Sequence, residues 1–343
     1  MERQQNLTPP YLERSMASTT QKKTWIINPT TDLTCITLGW TVFFVVPFYL
    51  PQYAPDFHFL AVTSFVAHRY FTFPLVYLDR TEFNRSRSIY IVTPILCLAF
   101  VALCYYFKVE EPEMFAFWYF FNFFHFVRQK YGILRIYSGK AQWGHKRLDE
   151  WTTYTWALAG FFYMLTRQAD LEGKLMHYLQ SLTGPLPLVI ADSIYAIAVL
   201  LTLFWLIHEC RAPKGLSVPK LLFLVSVAFM YGIAPILSTN AMADATAFSH
   251  AAEYIALVAL TLQNKARANT MDAPILNKAA NHVVRYTASF ILVVSLLLYG
   301  LKFASLSLFL IFTYGTSFAH FIFDGMIWKL RRPKVAREVG TIG

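Results

Sequence analysis

Four histidines in this chain lie well inside long apolar stretches, where an ionisable side chain is costly. They are His68, His125, His250 and His320. In the clearest case, FFNFFHFVRQKY, the imidazole of His125 follows an apolar run from Met114 to Phe124 in which Asn122 is the only clearly polar residue. A polar side chain inside a membrane segment is a candidate functional group whose partner has to be found.

Each of the four histidines is followed, three or four residues later, by a polar side chain. These neighbours are Thr72, Gln129, Glu253 and Asp324. Such a spacing places both members of a pair on one helical face, where the neighbour can bind the same metal ion or hold the imidazole in orientation. We therefore predict that Glu253 and Asp324 are ligands or acid–base groups. Gln129 and Thr72 are predicted to support the cofactor site from outside the ligand set.

A set of imidazoles with one or two carboxylates suits iron, zinc, copper or manganese better than calcium or magnesium, which prefer oxygen ligands. The predicted cofactor is therefore a transition metal, with iron as the first choice and zinc as the alternative. A membrane histidine can also form a helix-to-helix hydrogen bond or relay protons. Proton-coupled transport, metal-free catalysis and polar packing are thus the competing interpretations of the same residues.

The composition indicates an integral membrane protein. Of the 343 residues, 56% are hydrophobic and only 15% are charged, whereas soluble domains carry about 25% charged residues. The net charge of +10 comes from short basic blocks between apolar runs, which argues against a nucleic-acid partner. The four cysteines include no CxxC pair, so neither a thiolate zinc site nor a disulfide framework is indicated.

Apolar runs of spanning length predict an all-α bundle of about ten transmembrane helices. The predicted spans are 33–50, 56–78, 88–107, 112–136, 150–166, 187–209, 219–238, 241–262, 283–302 and 304–328. Because the fifth run is short and 171–183 is an amphipathic segment, nine or eleven elements are also compatible with the pattern. The predicted organisation is a tail at 1–32, one membrane domain at 33–328 and a basic tail at 329–343.

Lysine and arginine concentrate in both tails and in the connections after even-numbered spans. By the positive-inside rule, this alternation predicts that both termini are cytoplasmic. All four histidines then lie in even-numbered spans that cross the membrane in the same direction. They can meet in one layer in the inner half of the bilayer, and the membrane we expect is the bacterial inner (plasma) membrane.

The segment HFIFD, from His320 to Asp324, is similar to a motif of the Brp/Blh family of β-carotene-cleaving dioxygenases. Those polytopic enzymes carry scattered intramembrane histidines, some with an acid four or five residues later, and the likeness covers motifs, not the whole chain. It implies histidine-ligated non-haem iron. The segment SFVAH, from Ser64 to His68, is similar to the SxxxH element of membrane zinc hydrolases, which implies zinc.

The sequence therefore predicts a membrane-embedded metalloenzyme, with a non-haem iron oxygenase or oxidoreductase as the leading hypothesis. The four histidines would be the metal ligands, and a lipophilic small molecule would enter from the lipid bilayer. A cytoplasmic electron donor is a possible partner. The alternatives are a zinc-dependent membrane hydrolase, in which Glu253 or Asp324 would be the general base, and a proton-coupled transporter.

Overall fold

The computed structural model describes residues 24–109, 111–167, 174–271 and 273–341. Over these residues the chain is helical and contains no strand. Each of the ten predicted apolar runs contains a helix. In chain order these are α1 (Pro29–Thr37 and Thr41–Tyr49, bent by 54°), α2 (Pro51–Tyr77), α3 (Arg87–Tyr106), α4 (Glu111–Ala141), α5 (Lys146–Arg167), α6 (Leu188–Glu209), α7 (Val218–Leu237), α8 (Thr239–Arg267), α9 (Val283–Ala304) and α10 (Leu306–Ile327).

Seven of these helices are long and apolar enough to cross a membrane, namely α2, α3 and α6 to α10, and the bent α1 would be an eighth. The helices α4 and α5 are not among them, because tyrosine, tryptophan, threonine and charged residues lower their mean hydropathy. A chain with this many apolar helices is a multi-pass integral membrane protein.

Short helices connect or follow the long ones, at Arg80–Arg85, Lys174–Thr183, Pro274–Asn281 and Pro333–Glu338. The predicted amphipathic segment 171–183 corresponds to the second of these, and its first three residues lie outside the described ranges. Two of the long helices start at a serine cap. The hydroxyl groups of Ser238 and Ser305 accept backbone N–H groups three residues later, at the start of α8 and α10, and so satisfy donors that a helix end leaves free.

The described part of the predicted N-terminal tail is packed against the bundle. Asp32 is fully buried, and its carboxylate accepts the backbone N–H groups of Ile26 at 2.7 Å and Ile27 at 2.9 Å. The hydroxyl of Tyr137 on α4 donates to the same carboxylate at 2.9 Å. Residues 26 to 32 are therefore held on α4.

The predicted basic tail also packs onto the membrane domain. Val335, Ala336 and Val339 are buried, and the side-chain amide of Asn264 on α8 donates to the carbonyl oxygen of Glu338 at 2.7 Å. Residues on both sides of the predicted limits 33–328 thus contact the helix bundle.

An apolar cluster lies where α2, α3, α4 and α10 meet, and it borders the histidines. We call it the aromatic cluster; its buried members are Phe65, Val101, Met114, Trp118, Phe126, Tyr314 and Phe318. Close ring packing of this kind keeps facing helices at a fixed separation. Three of the four helices that carry the histidines, α2, α4 and α10, therefore pack against one another through this cluster.

Candidate metal centre

The structure brings the four histidines into one buried group, contributed by α2, α4, α8 and α10. One ligand-capable atom of each lies within 4.8 Å of those of the other three. The Nε2 atoms of His125 and His320 are 3.2 Å apart. Neighbouring imidazoles meet edge to face, with centroids 4.6 to 5.1 Å apart. This arrangement surrounds a common centre with nitrogen atoms.

Several of these nitrogens have no hydrogen-bond partner among the described residues. The Nε2 atom of His68 and both ring nitrogens of His250 are buried and unpaired. A buried polar atom without a partner costs about 1–3 kcal/mol, so three such atoms in one group need an explanation. The Nδ1 atom of His68 contacts the carbonyl oxygen of Phe65. If Nδ1 carries the proton that this contact requires, the lone pair of Nε2 is free to bind a metal.

The separation of two of the nitrogens fits a shared metal ion. Tetrahedral zinc with ligand distances of 2.0–2.1 Å separates two histidine nitrogens by about 3.4 Å, close to the 3.2 Å between His125 and His320. The same separation allows a hydrogen bond between the two Nε2 atoms, and a metal ion bound between them would replace it. The described residues can therefore hold one transition-metal ion in an all-nitrogen shell.

A hydrogen-bonded chain orients His320. The hydroxyl of Thr72 donates to Oδ1 of Asp324 at 3.0 Å and lies 2.7 Å from Nδ1 of His320. Because a threonine hydroxyl has one proton, it accepts from Nδ1–H of His320 when it donates to the acid. The Nε2 atom of His320 then faces the centre as an unprotonated ligand. The hydroxyl of Tyr254 also donates to Oδ1 of Asp324, at 3.0 Å.

The structure gives Thr72 a different partner from the one predicted. The spacing placed it beside His68, but its hydroxyl contacts His320 on α10. The reason is the 3-10 turn Arg69–Phe71 within α2. A 3-10 helix has 3.0 residues per turn instead of 3.6, so three such residues rotate Thr72 by about 60° beyond its α-helical position.

Asp324 lies at the edge of the group. Its Oδ2 atom is 3.6 Å from Nε2 of His320 and 3.8 Å from Nε2 of His125. These distances exceed those of a hydrogen bond, but they leave the carboxylate next to the two nitrogens that are closest together. Asp324 is thus placed to complete a metal shell or to accept a proton from a molecule bound there.

Glu253 lies outside the group of residues that could hold a metal, and other side chains already bind its carboxylate. Lys130 forms a buried ion pair with Oε1, and the hydroxyl of Ser249 donates to the same atom at 2.9 Å. The amide of Gln129 donates to Oε2 at 3.0 Å and to the backbone carbonyl of His250 at 2.9 Å. Gln129 and Glu253 therefore hold the α8 segment that carries His250.

Lys130 and Tyr254 are the residues that the sequence reasoning missed. A signal for Lys130 was present, because a glutamate predicted inside a membrane span needs a cationic partner, and Lys130 is five residues beyond His125 in the same run. No comparable signal marks Tyr254. Tyrosine is common in this chain, which contains 20, and only the three-dimensional contact with Asp324 distinguishes this one.

Replacing Thr72 by valine should weaken metal binding by about 10- to 100-fold, the usual effect of losing a hydrogen bond to a metal-bound histidine. Valine keeps the shape of threonine but gives Nδ1 of His320 no acceptor. Competition with a chelator of known affinity measures the change. Thr72→Ser keeps the hydroxyl and should bind metal nearly as the wild type does. Equal affinity in the valine variant would show that the chain from Thr72 to His320 does not support the centre.

Comparison of the chain with protein-family models, with curated proteins and with solved structures gives no significant match. The function proposed below therefore depends on the geometry of the buried group and on the motif resemblance already described.

Proposed function

We propose that the protein is a membrane-embedded metalloenzyme, a non-haem iron oxygenase or oxidoreductase that acts on a lipophilic substrate. The observation that carries this proposal is the convergence of four buried histidines from four helices, in which Nε2 of His68 and both ring nitrogens of His250 have no hydrogen-bond partner among the described residues. Polar packing alone would pair those nitrogens with protein groups. Iron is preferred over zinc because of the likeness of HFIFD to the Brp/Blh family.

In this proposal His68, His125, His250 and His320 are the ligands. Bound iron would supply the capacity to activate dioxygen, and the chain would supply orientation and the exclusion of water. Thr72 fixes the tautomer of His320, while Gln129 and Glu253 position His250. Asp324, with Oδ2 beside His125 and His320, is the acid–base group closest to the reacting atoms. A cytoplasmic protein or small molecule would deliver electrons.

A zinc-dependent hydrolase is the second candidate, and the position of Asp324 favours it. A carboxylate beside two ligand nitrogens can accept a proton from a water molecule held at the centre, which is the role of a general base in zinc hydrolysis. Glu253 is less suited to that role because Lys130 and Ser249 already bond its carboxylate.

Oxygen uptake distinguishes the two candidates. The full-length protein in lipid nanodiscs would be stripped with a chelator, reloaded with Fe²⁺ or Zn²⁺, and supplied with a chemical reductant in place of the electron donor and with β-carotene or palmitate as lipophilic probes. We expect uptake by the iron form with at least one probe, and none by the zinc form or by iron-treated His125→Ala. Release of fatty acid from ester or amide lipids by the zinc form, with no uptake by the iron form, would identify the hydrolase instead.

The finer topology is also part of the proposal: ten spans, with both termini in the cytoplasm of a bacterial cell. It can be tested by single cysteines in a background where Cys210, the exposed native cysteine, is serine. Asn84→Cys and Arg147→Cys should react with a membrane-impermeant maleimide only after the cells are permeabilised. Gln52→Cys should react in intact cells. Labelling of Arg147→Cys from outside would contradict the shared direction of α2 and α4.

A further inference from the structure

Arg69 is buried next to the histidine group without an acidic partner. Only 3% of the residue is exposed. Its guanidinium donates to the backbone carbonyl of Thr313 at 3.1 Å and to the hydroxyl of Ser317, both on α10. It also lies over the ring of Phe65, 5.1 Å from the centroid. These partners are all neutral.

The other buried cationic side chains are each paired with a carboxylate. Among the lysines and arginines that the structure describes, four are buried, and they are Arg69, Lys130, Lys220 and Lys265. Lys130 pairs with Glu253, Lys220 with Glu209 at 2.7 Å, and Lys265 with Asp79 at 2.9 Å. Arg69 is the exception in this part of the chain. An unbalanced charge in such a place costs several kcal/mol, so an anion is expected to bind there.

The anion would lie close to the candidate metal centre. Ser317 precedes His320 by three residues on α10, which corresponds to about 4.5 Å along the helix. The ring of Phe65 is 5.4 Å from the ring of His68 and 6.3 Å from that of His250. An anion held by Arg69 is therefore about one helical turn from the ligand nitrogens.

The aromatic cluster connects Arg69 with the lipid-facing surface. Phe65 beneath the guanidinium is 6.3 Å from Trp118, whose Nε1–H is buried and unpaired among the described residues. On the far side of the cluster, Phe318 contacts Phe117 at 5.7 Å and Phe121 at 5.9 Å. These last two rings are 44% and 42% exposed. The aromatic cluster thus has the Arg69 cation beside it, contains the unpaired N–H of Trp118, and contacts exposed rings on the surface that faces the lipid.

We infer that Arg69 binds the carboxylate of a long-chain amphiphile, of the fatty-acid class, whose chain lies along the aromatic cluster toward the lipid. A carboxylate matches the guanidinium in geometry, and its single negative charge balances the single positive one. This inference rests on the proposed function for the reaction. A carboxylate bound by Arg69 would place the first carbons of its chain beside the four histidines, where the proposed metal would act.

Binding of palmitate and of its uncharged methyl ester to the full-length protein in detergent tests the inference. We expect the wild type to bind palmitate at least about tenfold more tightly than the ester, as one charge-assisted hydrogen bond of about 1.5 kcal/mol or more implies. Arg69→Gln should abolish this preference. Arg128→Gln is the matched control, since Arg128 also lies over a phenylalanine four residues earlier, Phe124, but is exposed; it should keep the preference.

A second variant and a short-chain acid provide two further tests of the inference. Trp118→Phe keeps an aromatic ring but removes the unpaired N–H. It should reduce the preference for palmitate, and this result tests the inference even when Arg69→Gln does not fold. Butyrate should bind far more weakly than palmitate. Equal binding of acid and ester by the wild type, an unchanged preference in both variants, or equal binding of butyrate and palmitate would overturn the inference.

Metal content, measured on the same samples, separates this inference from the proposed function. A preference for palmitate in protein that binds no metal would leave the carboxylate site in place and refute the metalloenzyme. Metal-replete wild-type protein without the preference would refute the carboxylate site alone.

Discussion

Replacing His320 by alanine should remove most of the bound metal from the purified protein. The imidazole of His320 is buried, lies 3.2 Å from that of His125, and receives its orientation from Thr72. Its loss leaves a three-nitrogen shell at a depth where little water can replace a ligand. We expect at least a tenfold loss of metal occupancy after dialysis against a weak chelator, measured by mass spectrometry of the metals, and a similar loss for His125→Ala.

His282→Ala is the control for this experiment. His282 is exposed at the start of α9, in a shallow basic cleft with Lys278 and Arg285, and is not a member of the buried group. Its replacement should leave the metal content unchanged. Loss of metal from His282→Ala, together with full retention in His320→Ala and His125→Ala, would place the metal at the interface and make the buried imidazoles packing groups.

Replacing Lys130 by methionine should destabilise the protein strongly. Lys130 and Glu253 are almost completely buried and pair with each other, so removal of the cation leaves a carboxylate without a counter-charge. Breaking one side of a buried ion pair costs about 3–5 kcal/mol. Thermal unfolding in detergent, followed by fluorescence, should show a large fall in the unfolding temperature. Metal should also be lost, because Glu253 and Gln129 hold the segment of His250.

Two companion variants identify the cause of that loss. The double variant Lys130→Met with Glu253→Gln removes both charges and should recover most of the stability. Asp192→Asn breaks the exposed pair with Arg167, which joins α5 and α6 at 2.6 Å, and should cost at most about 1 kcal/mol. If Lys130→Met unfolds at the same temperature as the wild type, the ion pair does not stabilise the bundle around His250.

The four histidines could be selected from the sequence because membrane burial makes a polar residue conspicuous. His125 in particular follows a nearly unbroken aromatic run. The even-numbered positions of the spans then predicted a common direction for the four helices. The same hydropathy pattern predicts that the chain is helical and has several apolar spans. This pattern can be read from the sequence without knowledge of tertiary contacts.

The partners of the histidines could not be predicted in the same way. The pairing of Thr72 with His320 depends on a 3-10 turn within α2, and such a local change of helical pitch has no clear signature in HRYFT. The contact of Arg69 with α10 likewise has no signature in the sequence, because Thr313 lies far from Arg69 along the chain. Contacts between helices far apart in sequence depend on helix rotation, which hydropathy alone does not determine.

The most direct test of the metal centre is X-ray absorption at the metal edge of the full-length protein, purified in detergent without added metal. We expect about one tightly bound iron or zinc ion per chain, with imidazole nitrogens as the principal ligands at about 2.0–2.2 Å, and a loss of this signal in His320→Ala. A protein that retains no transition metal, or one whose metal has the same imidazole shell after His320 is replaced, would contradict the proposed centre.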